Sequence, residues 1–114
     1  MVFRSSFYCL VLFLSLHFSS FAQQSLAFES NQIHFSQGKE YFDAANYVAA
    51  REEFANYLSR QSDPTKNEVI LAEYYQVLCS LYLNQPEIDV LGYHFNLNHP
   101  NSPQSNLLFR KIGL

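Results

Sequence analysis

The chain has 114 residues, 17% of them aromatic and only 15% charged, and its seven Lys and Arg against ten Asp and Glu leave a formal charge of −3. That balance, with no basic cluster along the chain, removes the electrostatic attraction that dominates DNA or RNA binding, so nucleic acid is excluded as a partner. Of its two cysteines, Cys9 falls in an N-terminal apolar stretch, so Cys79 has no partner for an internal disulfide and stability must come from packing a modest core.

The first predicted element is a secretory signal over residues 1–22. Arg4 supplies a basic start, residues 7–18 are mostly apolar, and Ser20-Phe21-Ala22 resembles a small-x-small cleavage box. The stretch is shorter than the roughly 20 residues that cross a bilayer, and no basic stop-transfer cluster follows. Cleaved export is therefore expected, with no transmembrane span in the mature chain. Cys9 lies within the apolar stretch rather than after the box, which does not indicate a lipid-modified cysteine.

After a lead-in at 23–31, five helices are expected, at about 26–44, 47–60, 65–84, 87–97 and 104–114. Tyr47, Ala50, Phe54, Tyr57 and Leu58 recur at spacings of three and four, as one apolar helix face requires, and strand alternation is nowhere sustained. Asn46 is placed to cap the second helix. Asp63-Pro64 and Ser102-Pro103 each set a capping oxygen before a proline at the first helical position, and Pro86 follows Asn84-Gln85 similarly.

The chain also resembles itself. An offset of about 41 residues sets Gly38 on Cys79, Tyr41 on Tyr82, Phe42 on Leu83, Ala50 on Leu91 and Phe54 on Phe95. A further offset of about 34 sets Tyr75 on Phe109, Leu78 on Ile112 and Cys79 on Gly113. The difference between the offsets is about two helical turns, absorbed by lengthening the third helix without rotating its apolar face.

These residues resemble the tetratricopeptide repeat family, whose unit is a helix pair with small and aromatic residues at set spacings. Gly38-x-x-Tyr41, Ala50 and Phe54 match the first unit; Tyr75-x-x-Leu78-Cys79-x-x-Tyr82, Phe95 and Pro103 match the second; Phe109-x-x-Ile112-Gly113 opens a third. The sequence departs from the pattern at His34, Gln37, Leu91 and Asn98. The resemblance implies an all-α fold of antiparallel helix pairs stacked as a right-handed α-solenoid. Repeat one would span 32–65, repeat two 66–104 with a lengthened first helix, and a third, cut short, 105–114. An exported start with an aromatic-rich repeat pair also looks like multi-repeat proteins of Bacteroidota. The His99-Pro100-Asn101-Ser102-Pro103 joint is similar to those in periplasmic envelope proteins, including the Tol-Pal coordinator and an outer-membrane assembly lipoprotein.

Gly38, Ala50, Cys79 and Gly113 are read as contact points where paired helices cross, because a larger side chain would push the backbones apart. Tyr41, Tyr47, Phe54, Tyr75, Tyr82 and Phe95 are read as core filling. In the resembled family the adjacent stripe of each first helix lines a concave groove. On this register the stripe holds Gln32, Phe35, Lys39, Phe42 and Asp43, then Glu73, Gln76, Ser80, Leu83 and Asn84, with Arg110 from the third unit. Its mix of amides and aromatics suits an extended peptide.

Chemistry finds little footing. His94 and His99 do not share a helical face and no ligand set completes a metal site, so neither metal nor cofactor is expected. His34 and Glu73 are expected at the solvated rim. Cys79 sits at a packing position with no base beside it, and Glu52-Glu53 faces two directions. No glycine-rich phosphate loop exists. The expected protein is thus a non-catalytic scaffold of a bacterial periplasm or cell envelope that binds a protein or peptide segment. The alternative is a structural N-terminal cap of a longer solenoid whose working part lies beyond residue 114. An apolar face with Leu107, Leu108 and Ile112 is expected to favour self-association.

Overall fold

The computed structural model describes residues 30–113, so the expected signal at 1–22, most of the lead-in and Leu114 lie outside the described residues. The described residues are helical, without strand: α1 at 30–43, α2 at Tyr47–Ser59, α3 at Asn67–Tyr82, α4 at Ile88–Asn98 and α5 at Pro103–Ile112. From Asn31 onward they form one compact unit. No described helix is long and apolar enough to cross a membrane.

Local chemistry sets the joints. Helix α1 closes with the Asn46 amide donating to the Tyr41 carbonyl at 2.8 Å and the Ala45 amide to that of Phe42 at 3.0 Å, while Ala45 takes φ of 59°. This is the Schellman closure, in which a left-handed residue lets the chain turn back on the last carbonyls. Helix α3 repeats it: Asn84 has φ of 53°, the Gln85 amide donates to Ser80 at 3.0 Å and the Asn84 amide to Leu81 at 3.1 Å. Asn46 then serves the next helix, its Oδ1 accepting from the Ala49 amide at 3.4 Å. Ser102 caps α5 by accepting from the Gln104 amide at 3.2 Å, with Pro103 in the first turn.

Two start signals act differently from expectation. Asp63 Oδ1 accepts from the Thr65 amide at 2.9 Å and hydroxyl at 2.6 Å, forming a turn ahead of α3, whose N-cap is Lys66 without a side-chain cap. The two Thr65 bonds, side chain first, lower the Asp63 pKa. Pro86 likewise lies in the turn before α4, which starts at Ile88.

Helix α3 is the spine because both of its long faces are apolar. One face contributes Val69, Ala72 and Cys79 to a cluster with Ala50, Phe54 and Tyr57 of α2. The other contributes Tyr74, Val77 and Leu78 to a cluster with Phe95 of α4 and Leu108 of α5. Rings bind the first cluster together: Phe54 stacks on Tyr75 with centroids 5.1 Å apart, and Phe42 reaches from α1 to Tyr75 at 4.9 Å. Between α4 and α5 the buried Ser105 hydroxyl donates to Asn96 Oδ1.

Gly38, Ala50 and Cys79 are buried at these crossings, but Gly113 is not. It is exposed at φ of 81° with nothing beside it, and it ends α5 as a left-handed cap. The buried small residue of α4 is Gly92, one position past the Leu91 that the repeat offset selects. Tyr41 and Tyr82, expected in the core, are exposed, and so is Phe109, whereas Leu108, expected on an open face, is fully buried.

Candidate binding recesses along helix α3

Two recesses flank α3 and share Glu73. The larger, about 1320 Å³, is bounded by Phe35 of α1, the Pro64-Thr65 turn, the N-terminal half of α3, the 98–102 joint and the first turn of α5. The smaller, about 340 Å³, lies between α2 and α4 and is walled by Arg51, Glu73, Gln76, Ser80, Glu87 and Leu91 among others.

Three stripe residues of α3 therefore meet in one place, because positions 73, 76 and 80 are spaced three and four apart and share a face. Gln76 Nε2 donates to the Arg51 carbonyl at 3.4 Å, tying that face to α2. Ser80 is buried and forms a wall of the recess rather than an exposed contact. Leu83 and Asn84 belong to the turn that closes α3. Of the α1 stripe, Phe35 and Phe42 are drawn into ring contacts, Phe35 standing 5.7 Å from Phe54 and 5.2 Å from Tyr57. Gln32 is partly buried, and Lys39, Asp43 and Arg110 are exposed outside both recesses.

The expected rim histidine and glutamate are instead paired. His34 Nδ1 lies 2.6 Å from Glu53 Oε2, joining α1 to α2, and His99 Nε2 meets Glu73 Oε2, joining the end of α4 to α3. Neither contact carries a local sequence signal, since each joins residues brought together only by helices crossing.

Under the first cluster lies a polar pair that sequence reasoning missed. The Tyr57 hydroxyl and Glu68 Oε1 are buried and lie against one another. Burial first, then the nearby Glu68 carboxylate, pushes the Tyr57 phenol up to about 12. A helix-face count marks both positions as inward, but only the fold shows that they face each other.

Burial also pushes the Cys79 thiol up to about 11, against the opposing pull of Arg51, so it stays protonated at neutral pH and is a poor nucleophile. Among the described residues no three His, Cys, Asp or Glu side chains gather where a metal ion could sit. At the far end of α3, Lys111 Nζ donates to the Tyr82 hydroxyl at 3.2 Å and lies 5.8 Å from its ring centroid, a surface contact that raises the lysine's pKa.

No family model matches the chain. No curated protein and no solved structure matches it either.

Proposed function

We propose that this chain is a tetratricopeptide-like scaffold of a bacterial cell envelope, which holds a segment of a partner protein against α3 and performs no chemistry of its own. The observation that carries this reading is the pair of recesses flanking α3 and meeting at Glu73. Each combines amide and carboxylate groups with apolar walls, which suits an extended segment whose backbone needs hydrogen bonds and whose side chains need pockets. The buried, protonated Cys79 and the outward Glu52 supply nothing that favours a reaction.

A selection from a random peptide library, followed by amide-shift mapping of the isotope-labelled chain, tests the reading. Enriched peptides are expected to shift Glu73, Gln76, Asn98 and Gln104. Failure to enrich any peptide, or shifts confined to the outer face of α4, would remove the binding role from α3.

One observation favours the second reading, a structural module within a longer stack. Val90, Tyr93 and Leu97 form an apolar stripe at spacings of three and four on α4, each more than half exposed at 56%, 58% and 57%. In that reading a neighbouring helix covers the stripe. Aspartate at Tyr93 would then leave peptide binding intact and weaken only the packing of that neighbour.

A further inference from the structure

The smaller recess, between α2 and α4, holds donors and acceptors that the fold does not use. Ser80 lines it and is only 3% exposed, yet its hydroxyl makes no hydrogen bond to any described residue. A nearly buried hydroxyl without a partner is costly, and this one keeps a proton and two lone pairs for whatever enters. Beside it, Gln76 commits its amide nitrogen to the Arg51 carbonyl at 3.4 Å, which leaves its Oε1 as an acceptor. The Arg51 guanidinium forms no ion pair with any described carboxylate. It stands near enough to α3 for its charge to act on the Cys79 thiol, next to Ser80.

The charges around the opening select what fits. Arg51 is positive, Glu73 and Glu87 are negative, and Glu73 is already met by His99. An entering carboxylate is drawn to Arg51 but repelled by both glutamates, and an ammonium meets the reverse conflict. An uncharged carboxamide meets neither: its oxygen suits Arg51 and the Ser80 hydroxyl, and its NH2 group suits Gln76 Oε1 and the Glu87 carboxylate. Val77, Leu91 and Phe95 supply apolar wall for the methylene stem behind that head group. At about 340 Å³, against about 1320 Å³ for its neighbour, this recess is the one scaled to a single side chain.

We propose that the smaller recess receives the carboxamide side chain of an asparagine or glutamine in the partner segment, held by Arg51, Gln76 and Ser80. The assignment of the amide to a partner protein rests on the scaffold reading; the preference for an amide over a charged group rests on the recess alone.

The test is titration of the full isotope-labelled chain with acetyl-glutamine methylamide, with the glutamate, lysine, norleucine and glycine analogues alongside. The glutamine probe is expected to shift Gln76, Ser80 and Leu91, and the charged analogues to bind more weakly. Norleucine, and glycine with its backbone amides alone, should leave those signals in place. Arg51→Met keeps an unbranched stem and should weaken glutamine binding about tenfold, as expected for losing one charge-assisted hydrogen bond. Ser80→Ala should weaken it about fivefold, through one neutral hydrogen bond. Glu52→Gln on the exposed face of α2 should change nothing. Arg51 is only partly buried, so its variant keeps the test decisive should Ser80→Ala fold poorly. Equal shifts from glycine or norleucine, tighter binding of glutamate or lysine, no shift from glutamine, or full binding by both variants would overturn the proposal. Glutamine binding without any enriched peptide would uphold the recess and discard the scaffold reading; enriched peptides that bind α3 without an asparagine or glutamine would do the reverse.

Discussion

Gly38 and Phe54 meet so closely that a Cβ added to the glycine would lie 2.9 Å from two atoms of the phenylalanine ring. The ring cannot easily retreat, because it is fully buried and stacks on Tyr75. Alanine in a helix is favoured over glycine by roughly 1 kcal/mol, but overpacking a filled core costs about 1–3 kcal/mol. Gly38→Ala is therefore expected to lower stability by about 1 kcal/mol net, and Gly38→Leu by more, in urea melts followed by circular dichroism. An unchanged midpoint for both would show that α1 and α2 do not depend on this crossing.

Ala45 takes a left-handed backbone that costs an L-residue roughly 1–2 kcal/mol, and glycine does not bear that cost. Ala45→Gly should accordingly stabilise the chain by about 0.5–1 kcal/mol, even after the added freedom of the unfolded glycine. Destabilisation in the same melts would mean that the closure of α1 is not left-handed in solution.

Alkaline pH should weaken the fold. Cys79 and Tyr57 hold their protons more tightly when folded, at about 11 and 12, than their ordinary values of 9.0 and 10.0. The folded chain then binds more protons than the unfolded one, so stability falls as pH rises. The decline is expected to begin near pH 9 with the thiol and to steepen near pH 10 with the phenol. Tyr57→Phe should flatten the later part and Cys79→Ala the earlier part of a urea-midpoint profile. A flat wild-type profile across that range would contradict the burial of both groups.

Ser102 and Asp63 look alike in sequence, each preceding a proline, yet only Ser102 accepts from a helix amide. Ser102→Ala should cost about 1 kcal/mol, while Asp63→Ala should cost a few tenths for its exposed turn. Equal losses would show that Asp63 caps α3 after all.

Helix placement was legible because three- and four-residue spacing reports directly on which side chains must leave water. The expected ranges and the observed helices agree to within a few residues over the described chain. Gly113 shows where that reasoning stops: a small residue at a recurring position serves equally as a contact point or as a left-handed cap, and only the backbone angle separates them. The same holds for Tyr82, whose ring flanks Phe42 and Tyr47 yet stays 41% exposed. Asn84 carried a usable stop signal, since asparagine tolerates the left-handed conformation.

Periodicity thus determined that the described residues are helical and roughly where each helix begins and ends. The tertiary structure decided which polar groups meet: Glu73 with His99, His34 with Glu53, and Glu68 with the Tyr57 phenol. The physical reason is range. Helix formation and face burial depend on neighbours within a turn or two, whereas the pairing of charges depends on the angle and offset at which separate helices cross.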